Sequence, residues 1–290
     1  MPHCYNRVMP ELPEVETVVR DLQPLLVSKC IVSMRVGKHK LRHPWKPRWT
    51  KRVTGRKVVA LRRRGKWIII ELDDDSHLLA HLGMTGRFTV EPPEAKTGAH
   101  THLIFTLDSG AQLRFRDVRR FGSVRHCATS TELERELASK LGPEPWELTP
   151  DRWLASLKAT SRCLKAVLLD QHIVAGVGNI YADEALFAAR LAPRQRGRRT
   201  SPEQAEQLRL AIVAVLDRAI AARGTTFRDY VGGNGQAGGF QHALAVYGRA
   251  SEACRECGNE IRLTRLAGRS THYCPNCQPF RRMQRRRAVS

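Results

Sequence analysis

Two Cys-x2-Cys pairs near the C-terminus, CRECG at 254–258 and CPNCQ at 274–278, constrain this chain more than any other feature. The stretch 258–273 between them fits the separation of about 15–20 residues expected of a four-cysteine zinc site. Four thiolates in a tetrahedron suit Zn²⁺ and leave no open position, so the metal has a structural role rather than a catalytic one. A pair of disulfides is the competing reading, and a reducing compartment disfavours it. A module this short lacks an adequate core, so one Zn²⁺ held by Cys254, Cys257, Cys274 and Cys277 is expected to supply much of its folding energy. The intervening Arg265 and Arg269 are open to two readings, as solvated charges or as contacts to a nucleic-acid backbone. Cys4, Cys30, Cys127 and Cys163 are scattered and read as ordinary reduced thiols, mostly buried.

Charge narrows the partner. Over 290 residues, Lys and Arg total 49 against 28 Asp and Glu, a formal net charge of +21. Such a surplus points to an acidic polymer and would repel a second copy, so a monomer is expected. An anionic membrane would call for a long basic amphipathic helix, and none is visible. Nor does any apolar run approach the length that crosses a bilayer. The N-terminus lacks a signal-peptide pattern, which places the expected location in the cytoplasm, on the nucleoid if the host is bacterial. Nucleic acid is the expected partner.

Along the chain, PELPEVETVVRDLQPLL reads as a first helix with Pro13 near its start. Seven candidate strands follow: IVSMRV, VVALRR, WIIIEL, LLAHLG, HLIFTL, AQLRFR and SVRHC, with Asp108-Ser109-Gly110 as a hairpin turn. Short strands in series predict a β-sandwich or barrel ending near Cys127. Beyond about Thr131 the pattern is helical. In SPEQAEQLRLAIVAVLDRAIAARG, Ser201 is the N-cap, Pro202 is N1, Gln204 completes a capping box and Gly224 is the stop. QHIVAGVGNIYADEALF places a Gly-rich turn before a helix starting near Asn179, a start whose N–H groups suit a phosphate, although such turns are common without that role. VGGNGQAGGF reads as a linker or a closing loop. RRRGKW is either a solvated strand edge or a contact, and DVRRFG either a solvated loop or a wedge against base pairs.

Taken in order, PELPEVET, RRRGKW, HLGMTG, DVRRFG, VAGVGNIYADEALF, VYGR and GRSTHYCPNCQ resemble bacterial formamidopyrimidine-DNA glycosylase over residues 9–278. ELPEVE and DVRRFG separate that branch from endonuclease VIII, which typically begins PEGPE and lacks the wedge. The resemblance implies an α+β fold: an N-terminal β-sandwich with flanking helices (9–130), a helical helix–two-turns–helix domain (131–246) and a four-cysteine zinc hairpin (247–278). An extension (1–8) and a basic tail (279–290) have no counterpart. It also implies base-excision repair of double-stranded DNA containing oxidised purines or abasic sites, by a bifunctional glycosylase and lyase.

Residue by residue, the resemblance makes Pro10 the nucleophile, Glu11 the general acid, Lys66 a proton-transfer and phosphate-contacting lysine, and Arg269 the arginine of δ-elimination. Met84, Arg119 and Phe121 would fill the gap left by an extruded base, with Arg119 on the orphaned cytosine. His100 and Asn179 would contact DNA. Two departures stand out: His272 occupies a usual aromatic position, and Thr160 a position often basic, where Lys158, Arg162 or Lys165 would compensate; Lys165 is counted among the DNA contacts. Because a secondary amine is needed at Pro10, the working start is expected to be Met9, itself removed. With residues 1–8 retained, the expected protein is a non-catalytic binder of damaged DNA.

Overall fold

The structure, a computed structural model, describes residues 9–225 and 238–280. The extension 1–8, most of VGGNGQAGGF and the tail RRMQRRR lie outside the described residues. The chain forms two compact units: one holds the chain up to Glu144, Gln171–Gly178 and Leu216–Ala243, the other Pro145–Asp170, Asn179–Val215 and the chain from Leu244.

The first unit opens with α1 (Leu12–Leu26). Glu11 is its N-cap, in a capping box with Glu14, and Pro13 sits in the first turn where its missing N–H costs nothing. Val15, Val18, Val19, Leu22 and Leu26, at helical spacing, pack into the core. Next come β1 (Ile31–Val36), α2 (Pro47–Val53), β2 (Val58–Arg64), β3 (Trp67–Leu72), β4 (His77–His81), β5 (Gly86–Glu91), β6 (Thr101–Leu107), β7 (Gln112–Asp117) and β8 (Ser123–Cys127). They build two antiparallel four-stranded sheets, ordered β1-β6-β7-β5 and β2-β3-β4-β8. Ile68, Ile70, Leu78 and Ala80 of one sheet share a core with Leu103, Phe105, Leu113 and Phe115 of the other. The second sheet is covered on its far face too, where Ile69, Leu79 and Cys127 meet Leu133 and Leu137 of α3 (Ser130–Ala138). Burial on both faces explains why WIIIEL is an unbroken apolar run rather than an alternating one.

The second unit holds α4 (Pro150–Lys158), α5 (Leu164–Leu168), α6 (Asn179–Ala188), most of α7 (Pro202–Ala221), and the hairpin β9 (Arg262–Leu266) and β10 (Arg269–Tyr273). The α7 capping box is present: Gln204 N–H donates to Ser201 Oγ at 3.2 Å and Ser201 N–H to Gln204 Oε1 at 3.1 Å. Gly224, at φ +74°, ends the helix by donating to the Ala219 carbonyl at 2.7 Å.

Three details differ from the sequence reading. α2 and β5 were not anticipated: α2 is a two-turn helix preceded by Trp45 and containing Trp49, and β5 carries only Phe88 and Val90 on its apolar side. The fourth strand ends at His81, because Gly86 N–H turns back onto the Leu82 carbonyl at 2.8 Å. Cys127 is buried, but Cys30 and Cys163 are only half-buried. Among the described residues no helix is long and apolar enough to cross a membrane.

Candidate active site and nucleic-acid interface

In the first unit Pro10 is buried, two residues before the first residue of α1, and the intervening Glu11 is 1% exposed. The Gly-rich turn is shaped around this helix start. Leu12 N–H donates to the Gly176 carbonyl at 3.1 Å. A Cβ at Gly178 would lie 2.3 Å from Glu11 Cδ, and one at Gly176 would lie 2.4 Å from Leu12 Cδ1. These glycines are therefore required by the Pro10–Glu11–Leu12 corner, whatever else the turn binds. Glu14 completes the corner, accepting from Glu11 N–H at 2.9 Å and from Thr225 N–H and Oγ1 at 2.8 and 2.9 Å.

Lys66 is half-buried in the two-residue turn joining β2 and β3, whose first residue, Gly65, has φ +55°. Glu144 fixes that turn. Its carboxylate accepts from Gly65 N–H at 2.6 Å, Arg63 at 2.7 Å and Arg64 at 2.8 Å. Across the sheet, His81 pairs with Trp67, their rings 4.8 Å apart, and His81 Nδ1 accepts from Gly83 N–H at 3.0 Å. Burial, and then the positive charge of Lys66, push the His81 pKa down to about 4, so the ring is neutral at pH 7.

Met84, Arg119 and Phe121, the residues expected to form a wedge, lie together. Arg119 Nη1 lies 3.0 Å from Met84 Sδ, and its guanidinium stacks 4.7 Å from the ring centroid of Phe121, which is 46% exposed. Asp117, fully buried, folds the loop: its carboxylate accepts from Thr85 Oγ1, from Arg119 N–H at 3.1 Å and from Gly122 N–H at 2.7 Å. A Cβ on Gly83 would sit 2.6 Å from Gly122 N, so HLGMTG and DVRRFG meet back to back through glycines. His100 is exposed with φ +66°, and its carbonyl accepts from Asp117 N–H at 3.0 Å.

In the second unit the four cysteine sulfurs lie within 4.8 Å of one another, with Cys257–Cys274 at 3.5 Å and Cys254–Cys277 at 3.9 Å. A tetrahedron with Zn–S bonds of about 2.3 Å has S···S edges of about 3.8 Å, so these residues fit the metal. Burial raises the Cys274 and Cys277 thiols above their ordinary range, a bias a bound dication reverses. The hairpin turns through Ala267 and Gly268, both at positive φ, and presents Arg269 exposed. Asn179, first residue of α6, donates from Nδ2 to Ser270 Oγ at 3.2 Å.

Lys165 requires correction. It is fully buried, its ammonium donating to Asp183 Oδ1 at 2.6 Å and to the Asn179 carbonyl at 2.8 Å. It clamps α5 to α6 and presents no charge to a phosphate. Of the other residues expected to compensate for Thr160, Lys158 donates to the Thr200 carbonyl at 2.8 Å and Arg162 pairs with Asp170 at 2.8 Å. His272 has its own account. Asp183 accepts from its backbone N–H at 2.9 Å and lies 3.2 Å from its Nδ1, while its ring packs edge-on against Tyr247. A hydrogen-bonding ring thus serves where an aromatic would only pack. Glu184 caps the segment Ala245–Tyr247 by accepting three backbone N–H groups at 2.8–2.9 Å. The sequence reading missed Asp117, Glu144, Asp183 and Glu184; three of them lie inside motifs already singled out, as acids within otherwise apolar or basic runs.

An exposed arginine–aromatic cluster on a β-sandwich, in one chain with a four-cysteine hairpin that fits Zn²⁺ and presents an arginine, defines a basic, metal-stapled class of protein. Family models match residues 9–124 (Formamidopyrimidine-DNA glycosylase N-terminal domain), 141–231 (its H2TH domain) and 251–279 (Zinc finger found in FPG and IleRS). The formamidopyrimidine-DNA glycosylase of Geobacillus kaustophilus is 43% identical over 274 residues, covering 93% of this chain and 100% of that protein. A mutant Lactococcus lactis FPG bound to a Fapy-dG containing DNA superposes with a TM-score of 0.88 at 35% identity, and the same species' Fpg with an abasic site containing DNA at 0.87 and 34%; each covers 93% of this chain and 100% of the other. The chain belongs to the formamidopyrimidine-DNA glycosylase family.

Proposed function

We propose that this protein is a base-excision DNA glycosylase acting on oxidised purines, with an associated lyase activity that cuts the strand, and that its nucleophile is the amine of Pro10 once Met9 is removed. The observation that carries this reading is the corner at α1: a buried Pro10 beside a buried Glu11, with Gly178 cleared to let the Glu11 carboxylate in. Pro10 N attacks C1′ and gives up its N–H proton while the oxidised base departs with the glycosidic electron pair and takes up a proton. Glu11 then protonates O4′, the C1′–O4′ bond breaks, and the nitrogen and C1′ become an iminium. The iminium accepts the electron pair released when the C2′ proton is lost, and the 3′ phosphate leaves. By resemblance, Lys66 handles that proton and holds phosphate, Arg269 serves the following δ-elimination, and His100, Asn179, Arg119, Met84 and Phe121 hold the DNA. Cys254, Cys257, Cys274 and Cys277 hold one structural Zn²⁺, which takes no part in the chemistry.

While Met9 is attached, the Pro10 nitrogen is a tertiary amide with its lone pair in the carbonyl, and it can neither attack nor form an iminium. The family match begins at residue 9, which supports a working start there. The test is borohydride trapping on an oxidised-guanine duplex with two forms whose N-termini are verified by intact mass. The form beginning at Pro10 should trap and the form retaining residues 1–8 should bind without trapping; equal trapping would overturn the proline mechanism.

A further inference from the structure

We infer that residues 38–52, the loop entering α2 together with α2, form an accessory surface for the phosphate backbone of duplex DNA flanking the wedge. The inference rests on the wedge reading above for its placement. Between Asp21 and Glu71 the sequence contains no Asp or Glu. Lys38, Lys40 and Arg42 in the loop are exposed, as are Lys46, Arg48, Lys51 and Arg52 at and along α2. Arg56, a few residues beyond, pairs with Asp74 at 2.9 Å, and Lys46 Nζ lies 5.2 Å from the Trp49 ring centroid, so the fold uses these two cations of the region structurally.

The charge sits where it opposes the helix. Arg48, Lys51 and Arg52, at i, i+3 and i+4, repel one another on one face. Lys46 is the N-cap without a side-chain cap bond, and the first turn holds no acid, so positive charge crowds the positive end of the helix dipole. Only Lys51 and Arg52, in the last turn, are favourably placed. The helix is held by its apolar side: Val53 is buried, and the buried Trp45 packs edge-on against Trp49 at 5.3 Å and Phe105 at 5.9 Å and donates to Thr50 Oγ1 at 3.0 Å. A solvated face needs no such concentration of one sign; a polyanion does.

The loop is fastened to the wedge. Arg42 N–H donates to the carbonyl of Arg120 at 3.1 Å, between Arg119 and Phe121. Gly37 N–H donates to the His102 carbonyl at 2.7 Å, and His102 Nδ1 lies 3.0 Å from the His39 carbonyl. Gly37 is required for that approach, since a Cβ would lie 2.3 Å from the Thr101 carbonyl oxygen. A duplex engaged by Phe121 therefore brings its flanking phosphates to this segment. The contacts carry no sequence information and lengthen the footprint on undamaged and damaged DNA alike.

The experiment compares the full chain with its Lys46→Gln, Arg48→Gln, Lys51→Gln, Arg52→Gln variant, measuring affinity against salt for undamaged duplexes of about 10 and about 30 base pairs. Each lost phosphate contact lowers the slope of log affinity against log salt by about 0.9, so a fall of about 2 to 3 is expected on the long duplex. At low salt the long duplex should bind the variant about tenfold or more weakly, with little change on the short one. Thermal stability should hold or rise as like charges are removed. An unchanged slope overturns the inference; equal loss on both lengths also overturns it, by placing the residues on the central base pairs that both duplexes share rather than on the flank. Phe121→Ala tests the wedge separately: losing lesion preference while keeping the long-duplex slope supports both readings, and keeping the preference sinks the wedge alone.

Discussion

At the scale of single residues, the site depends on how closely glycine lets backbone approach side chain. Gly178 is the sharpest case, because the atom its Cβ would strike is Glu11 Cδ, the carboxyl carbon of the proposed acid. Gly178→Ala should fold, since a side chain can swing aside, but it should displace that carboxyl by about an ångström. Misplacement on that scale costs about 10²-fold. Single-turnover base release should fall by that order with little change in unfolding temperature; full activity would show that Glu11 is not held for chemistry. His81 offers a second reading at this scale. Its folded pKa of about 4 lies below the ordinary 6.5, so protonation favours the unfolded chain. Its contribution to stability is complete above about pH 6.5 and is lost as pH falls through about 4. Burial is the larger cause and the Lys66 charge the smaller, so Lys66→Met should move the His81 titration upward without restoring it to the ordinary value. An NMR titration of the imidazole in both proteins checks this, and an unmoved midpoint would separate Lys66 from His81.

At the scale of elements, what was legible in the sequence and what was not divide along one line. The α7 capping box, the α6 start at Asn179 and the strands IVSMRV, WIIIEL and SVRHC were readable because local rules decide them: a cap, a breaker, a run of β-branched residues. α2 was not, because its cation-rich helix contradicts local electrostatics and is held by Trp45 and its ring contacts. Nor was the burial of Lys165, since no local pattern announces that Asp183, on another helix, will take its charge. The zinc hairpin was legible almost entirely from spacing. Beyond the metal, its fold is secured by Phe187, Val246 and Ile261 packed with the cysteines, by Asp183 on His272, and by Gln278 bridging the Leu191 carbonyl at 2.9 Å and Cys274 N–H at 3.0 Å. Native mass spectrometry should find one Zn²⁺ per chain. Cys254→Ser with Cys274→Ser should remove it and, with Arg269 no longer presented, abolish tight DNA binding; undiminished affinity in the metal-free protein would overturn the hairpin's role.

At the scale of the whole molecule, the net charge of +21 and the chemistry proposed for the buried α1 corner should act on different steps. Surface charge raises the rate of encounter with DNA and is screened by salt, with a Debye length of about 8 Å at physiological ionic strength. Pro10 is buried and Glu11 is 1% exposed, so the field at the proposed reaction centre is screened far less. The two effects separate kinetically. Between about 50 and 200 mM salt, kcat/KM on an oxidised-guanine duplex should fall by about 10³-fold or more if some six or more phosphates are neutralised. Under saturating enzyme the single-turnover rate of the form beginning at Pro10 should change by no more than about twofold, since bound substrate is already past the screened step. The pair of measurements is decisive because a fall in both would mean that screened surface charge also stabilises the transition state, and the division of labour argued from burial would then be wrong.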